Sequence, residues 1–286
     1  MHLTSLDRVL WPAAGFTKGD LVDYYRRVAP VLVPHLSGRA LTLGRWPSGV
    51  TQRGFGQTEC RGRPDWMRTA ALRLRTGEVR RHCLVEDAAS LLWVVNLCTI
   101  ELHTHHFAID RPDEPIAVPF DLDPGPGVGP SQLAEAALAL RRMLESLGLT
   151  SCVKASGVAG LHVLVPLAPT ASDQTAGFAR QMAGRLAREC SELITDDARS
   201  PARPSRVLVD WRQAEPRRLM VAPYSLRATD QPLVSAPISW DEVTALGRHP
   251  DPVPFAIGPV EALARVERQG DLFAAAISAR QVLPSA

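Results

Sequence analysis

Ile116-Ala117-Val118-Pro119-Phe120-Asp121-Leu122-Asp123-Pro124-Gly125 is the stretch on which the fold and the chemistry of this chain turn. Residues 116–123 read as a strand. Side chains alternate across a strand, so Asp121 and Asp123 share one face while Val118, Phe120 and Leu122 share the other. Proline and glycine then close the strand in a sharp turn and leave both carboxylates at its mouth. Two neighbouring carboxylates repel each other, the more so as water is excluded, and a divalent cation would satisfy both. Two-metal chemistry, with ions about 3.5–4 Å apart, calls for a third carboxylate. Asp210 is the candidate: it ends the apolar run Val207-Leu208-Val209 and precedes Trp211, at a second strand terminus. If the two strands are neighbours, the three carboxylates converge. The alternative is a surface turn whose aspartates only cap the following helix, and the spacing leaves both readings open.

Two other loops that resemble this one are excluded. An EF-hand would need a third aspartate before the glycine and a glutamate where this chain has Gln132. Gly125-Pro126-Gly127-Val128-Gly129 is not a dinucleotide loop, because Pro130 replaces the last glycine and prolines lack the amide donor.

Working outward, 162–166 and 207–211 are the clearest further strands. Thr17 is a suitable cap for a helix over 18–36, where Leu21, Tyr24, Tyr25, Val28 and Leu32 form an apolar stripe. Further helices are predicted over 88–97, 131–147 (stopped by Gly148), 175–193 and 240–246, with a last one over 259–275 after the proline-rich stretch from Pro250. The final residues are expected to fray. Strands alternating with helices make the chain α/β or α+β. No internal repeat or low-complexity linker separates independent domains.

Net charge is only +2, yet the basic residues are clustered. Arg39, Arg45, Arg53, Arg61, Arg63, Arg68, Arg73, Arg75, Arg80 and Arg81 face only Glu59, Asp65 and Glu78 along one segment. Arg199, Arg203, Arg206, Arg212, Arg217 and Arg218 form a second basic stretch. Such segments suit a phosphate backbone, whose condensed counterions are released on neutralisation. A solvated face rich in arginine is the competing reading, since the chain has just two lysines, Lys18 and Lys154. The 45% hydrophobic and 22% charged content excludes global disorder. Cys60, Cys83, Cys98, Cys152 and Cys190 show no C-x-x-C pair, and their odd number favours reduced thiols over a disulfide framework or zinc ribbon. With no long apolar run at the N-terminus, a cytoplasmic protein is expected.

Four smaller features have readings of their own. Ser156-Gly157-Val158-Ala159-Gly160-Leu161-His162 is either a small-residue cradle for phosphate oxygens or a plain hairpin turn. Glu101-Leu102-His103-Thr104-His105-His106 is a weak zinc cluster, and His103 suits phosphate or the core better. Arg227, closing Tyr224-Ser225-Leu226-Arg227, reads as a bidentate triphosphate ligand or a surface ion pair. Trp66, Trp93 and Trp211 read as core, whereas Phe55 between two glycines reads as a base-stacking side chain.

Taken in order, several motifs are similar to one family. Leu3-Thr4-Ser5-Leu6-Asp7-Arg8-Val9-Leu10-Trp11-Pro12, Thr17-Lys18, Val22-Asp23-Tyr24-Tyr25, Arg45-Trp46-Pro47 and Glu101-Leu102-His103 open the series. Phe120-Asp121-Leu122-Asp123-Pro124-Gly125, Lys154-Ala155-Ser156-Gly157 with Gly160-Leu161-His162, Val209-Asp210-Trp211, and Ala222-Pro223-Tyr224-Ser225-Leu226-Arg227 complete it. The chain resembles the polymerase domain of bacterial DNA ligase D, the end-joining member of the archaeo-eukaryotic primase superfamily, from Leu3 to about residue 243. The resemblance implies a central antiparallel or mixed sheet flanked by helices. It implies one domain, with a DNA-binding portion over about 1–110 packed on a catalytic core over about 111–286. By the same resemblance, Asp121, Asp123 and Asp210 bind two Mn2+ or Mg2+ ions, and His103, Ser156, His162 and Arg227 hold the incoming NTP or dNTP. Lys18, with Arg8 in place of the usual lysine, matches a pocket for the 5′-phosphate of gapped or broken DNA. Phe55 matches an aromatic on the template, and Arg45 is a further DNA contact. The implied activity is template-dependent nucleotidyl transfer to a 3′ hydroxyl in gap filling or end joining, on the nucleoid, with a DNA ligase and Ku as partners. An end-binding module impaired in catalysis is the alternative. Two departures stand out: Ala159 where the family has a lysine, and Gly56, Gln57 and Thr58 where it has a second aromatic, an acid and a lysine.

Overall fold

In the computed structural model, which describes residues 2–74, 76–200, 203–246 and 255–284, Ala117–Pro124 is the third strand of a six-stranded sheet. The order is Ile194–Thr195, Val207–Asp210, Ala117–Pro124, Leu161–Pro166, Cys152–Ala155 and Pro237–Ile238. The first two strands run parallel and every other pair is antiparallel. Val118, Phe120 and Leu122 are fully buried, with helices Pro130–Ser146 and Ser172–Glu189 packed against their strand. Apolar residues sit on both faces along its first half, as expected of a central strand covered on both sides. Arg75 of the basic stretch, the proline-rich 250–254 and residues 285–286 of the expected frayed end lie outside the described residues.

The chain divides into two compact units. One runs to Asp110 and takes back Leu219–Ala236 and Ile257–Asp271; the other, which contains the six-stranded sheet, holds the rest. In the first unit an antiparallel sheet is ordered Met220–Val221, Thr99–Thr104, Leu41–Arg45, Phe55–Gln57. Its long helix, Lys18–Leu36, starts on a capping box in which Thr17 and Asp20 satisfy each other's amides. The buried hydroxyls of Tyr24 and Tyr25 on this helix donate to the carbonyls of Tyr224 (2.7 Å) and Ile100 (2.6 Å). The tyrosines of the predicted apolar stripe thus tie distant segments of the unit together. Among the described residues, no helix is long and apolar enough to cross a membrane.

Several expectations need correction. The helix expected over 175–193 spans Ser172–Glu189, because the chain unwinds at Cys190 and lets Ile194 pair with Val207. The single helix expected over 259–275 is two, Pro259–Gln269 and Ala275–Ser278, broken where Gly270 takes φ +70°. Trp211 leaves its strand for a short 3-10 turn, Trp211–Ala214. Capping by Asp121 and Asp123 is not realised: helix Pro130–Ser146 starts at Gly129, whose amide donates to the Gln132 side chain at 3.0 Å. Cys60 and Cys83 are joined by a disulfide rather than reduced, their Cα atoms 5.0 Å apart. Their 23-residue separation hides this, since Cys83 ends a hairpin strand, Val79–Cys83, that the chain folds back beside Cys60. Trp66 is half exposed rather than core.

Candidate active site

Strand register builds the site. Asp210 pairs with Asp121, Asp121 with His162, and His162 with Lys154, so four polar side chains cross the sheet in one row. Directly opposed residues of antiparallel strands project on the same face. Asp123 lies on that face two residues beyond Asp121. His162 is buried at 5% exposure; its Nε2 stands 3.3 Å from Asp121 Oδ1 and its Nδ1 2.6 Å from Lys154 Nζ.

Burial pushes the Asp123 carboxyl up to about 6, helped by the neighbouring charges of Asp121 and Asp210 and opposed by Arg203. Asp210 itself is held by Arg212: its Oδ1 accepts from the Arg212 Nε at 2.9 Å and from the Arg212 amide at 3.1 Å. Among the described residues, no three His, Cys, Asp or Glu side chains form a ready cage for a metal ion. Donor chemistry and charge nonetheless fit hard divalent cations, which take carboxylate oxygens. The register sets Asp121 opposite Asp210 with Asp123 two residues along, and rotation of the Asp210 side chain away from Arg212 would turn its carboxylate toward the other two.

The Ser156 loop closes the hairpin between Cys152–Ala155 and Leu161–Pro166, and it is ordered by its own serine. Ser156 Oγ accepts from the amides of Val158 (3.1 Å) and Gly160 (3.0 Å), so two amides of the expected phosphate cradle are already engaged. Gly160 is required by crowding. A Cβ there would lie 2.4 Å from the Leu122 carbonyl oxygen and 3.3 Å from Asp123 Oδ1. Gly160→Ala is therefore expected to cost about 1–3 kcal/mol of stability by forcing the two strands apart. An unchanged denaturant midpoint would contradict this account of the contact.

The first unit gathers the remaining candidates into three groups. Glu101 joins two of them: one carboxylate oxygen accepts from His103 Nε2 at 2.8 Å, the other from Arg227 Nε at 3.0 Å and the Ala228 amide at 3.0 Å. Burial would raise this carboxyl, but the His103 hydrogen bond, the Arg227 charge and the Ala228 amide outweigh it and hold it down at about 2. Sequence reasoning gave Glu101 no role of its own. The signal was present, since residues two apart on a strand share a face and Glu101 precedes His103 by two. Arg8 and Lys18 are neighbours through the Lys18 amide, which donates to the Arg8 carbonyl at 2.7 Å. Lys18 Nζ meets the Thr4 carbonyl at 2.6 Å, and Arg8 reaches the Pro47 carbonyl at 2.7 Å. Arg45 lies opposite Phe55 in register, its guanidinium 5.3 Å from the centre of that half-exposed ring. The same guanidinium donates to the Leu97 carbonyl (2.9 Å) and to Gln57 (2.6 Å), one of the residues that departs from the family pattern.

A family model, "LigD, primase-polymerase domain", matches residues 17–273. The polymerase domain of Mycobacterium tuberculosis ligase D, solved in complex with DNA, superposes with a TM-score of 0.91 at 34% identity, over 98% of this chain and 99% of that one. The multifunctional non-homologous end joining protein LigD of Mycolicibacterium smegmatis is 35% identical over 278 residues, covering 96% of this chain and 36% of that protein. The bifunctional non-homologous end joining protein LigD of Bacillus subtilis is 30% identical over 272 residues, 94% of this chain and 43% of that protein. The chain thus spans well under half the length of these curated relatives. Its mixed α/β fold and these matches define a nucleotidyltransferase. The chain belongs to the LigD primase-polymerase domain family.

Proposed function

We propose that this chain is a template-dependent primase-polymerase that adds ribonucleotides or deoxyribonucleotides to a 3′ hydroxyl during gap filling or end joining of broken DNA. The observation that carries the reading is the strand register, which sets Asp210, Asp121 and His162 in one row with Asp123 two residues along on the same face. In this reading Asp121, Asp123 and Asp210 hold two Mn2+ or Mg2+ ions, once the Asp210 side chain turns from Arg212. Such ions lower the pKa of the attacking hydroxyl and neutralise charge on the transferring phosphoryl group.

The chain's own side chains do the rest. Glu101 keeps the His103 ring and the Arg227 guanidinium fixed, which lowers the entropy cost of presenting two donors to the phosphates of an NTP or dNTP. His162 and Ser156 are assigned to nucleotide binding as well. Lys18 and Arg8 form the 5′-phosphate pocket, where phosphate exchanges for the Thr4 carbonyl on Lys18. Phe55, braced by Arg45, stacks on the template. We assign DNA binding mainly to 1–110 and catalysis to 111–286, and place the protein on the bacterial nucleoid with a DNA ligase and Ku.

Primer extension on a 5′-phosphorylated gap with manganese tests the proposal. No extension, with tight gap binding retained, would favour the second reading, a catalytically impaired end-binding module; Ala159, which lacks the family's lysine, is the feature that favours it. The Asp123 carboxyl predicts the pH dependence. It keeps its proton up to about 6, and that proton competes with the metal. At limiting manganese, extension is expected to fall about tenfold per pH unit below about 6, with the midpoint moving to lower pH as manganese is raised. An acid limb indifferent to manganese would exclude Asp123 as a ligand.

A further inference from the structure

Lys154 has no part in the function proposed above, yet it is 1% exposed, on a strand directly opposite His162. A buried ammonium is costly unless a partner takes its protons. Its Nζ lies 2.6 Å from His162 Nδ1. An ammonium has three N–H donors and no lone pair, so at this distance it donates and Nδ1 must be the bare, accepting nitrogen. The ring's one proton then sits on Nε2, the nitrogen 3.3 Å from Asp121 Oδ1.

We propose that Lys154 is a positioning residue: its buried ammonium holds His162 in the Nε2–H tautomer, so that the imidazole faces the carboxylate strand as a hydrogen-bond donor. The reverse tautomer would turn a lone pair toward Asp121 and toward any phosphate oxygen, both of which only accept. Local sequence could not show this, because Lys154 and His162 are eight residues apart on different strands and meet only through the hairpin register. The consequence for substrate rests on the proposed assignment of His162 to the nucleotide. The tautomer itself does not.

The test has two arms. Imidazole 15N–1H correlation spectra at pH 7.5 are expected to show His162 of the wild type protonated on Nε2 alone. Lys154→Met, close in volume but without donors, is expected to give a mixture of tautomers. A wild-type ring protonated on Nδ1, or on both nitrogens, would overturn the proposal even if the variant fails to fold; so would a wild-type tautomer in folded Lys154→Met. In the second arm, titration with a non-hydrolysable nucleoside triphosphate and manganese is expected to show about tenfold weaker binding for Lys154→Met. That loss should vanish in a His162→Ala background, because Lys154 acts through the ring. An equal loss in both backgrounds would mean a structural role and sink the proposal. If the wild type binds no nucleotide, the nucleotide assignment of the proposed function falls, and the spectra alone decide on Lys154.

Discussion

Asp121→Ala and Asp123→Ala are each expected to lower primer extension by at least ~10³-fold, the equivalent of the several kcal/mol that metal ions supply to a phosphoryl-transfer transition state. Binding to 5′-phosphorylated gaps should be spared, because Arg8, Lys18, Arg45 and Phe55 belong to the other compact unit. A stability measurement separates this from simple unfolding. Burial and the charges of Asp121 and Asp210 raise the Asp123 carboxyl from its ordinary 3.8 to about 6 in the metal-free fold. Its contribution to stability is therefore complete below pH 3.8 and is lost as pH rises through about 6. At pH 7.5 the wild type bears the repulsion, so Asp121→Ala should be at least as stable as wild type without metal. Manganese should raise the thermal midpoint of the wild type and leave both variants unmoved. Variants that still extend primers, or still respond to manganese, would rule out the carboxylate assignment.

Glu101→Gln carries the second large effect. A glutamine keeps a single accepting oxygen: with that oxygen turned to Arg227 and the Ala228 amide, its amide nitrogen faces His103, whose Nε2 can then accept only as the other neutral tautomer, and the negative charge that both partners use is gone. The buried Glu101 carboxyl, held at about 2 against an ordinary 4.5, stabilises the fold at neutral pH by on the order of 3 kcal/mol. The sign follows from the depressed value: this stability is present above about 4.5 and is lost as pH falls toward 2. Glu101→Gln should therefore be less stable at pH 7 and should flatten the acid limb of a stability–pH curve over that window. Triphosphate affinity should drop by about tenfold or more, since the two phosphate ligands proposed above lose their shared anchor. A variant with normal stability and normal nucleotide affinity would show that Glu101 organises neither residue.

Much of this was legible before any tertiary structure. The capped helix Lys18–Leu36 follows from Thr17 and the Leu21–Val28–Leu32 stripe, and the strand Ala117–Pro124 from its alternation. Helix ends were less legible where long-range pairing decides them: Ser172–Glu189 stops short because Ile194 is drawn into the sheet. Trp66 misled because size and apolarity argue for burial, whereas in this fold it is half exposed beside the arginine-rich hairpin.

By itself, the sequence determined that Asp121 and Asp123 share a face, that Asp210 ends another strand, and that the motifs occur in the order of one family. Those properties depend on residues two to four positions apart or on order alone, and a linear reading captures both. Tertiary structure alone decided that Asp210 pairs with Asp121, that Glu101 clamps Arg227 across 126 residues, that Cys60 meets Cys83, and that Lys154 backs His162. Each of these is a contact between segments distant along the chain. Their register is set by how whole strands bury their apolar faces, and no local pattern in the residues records it.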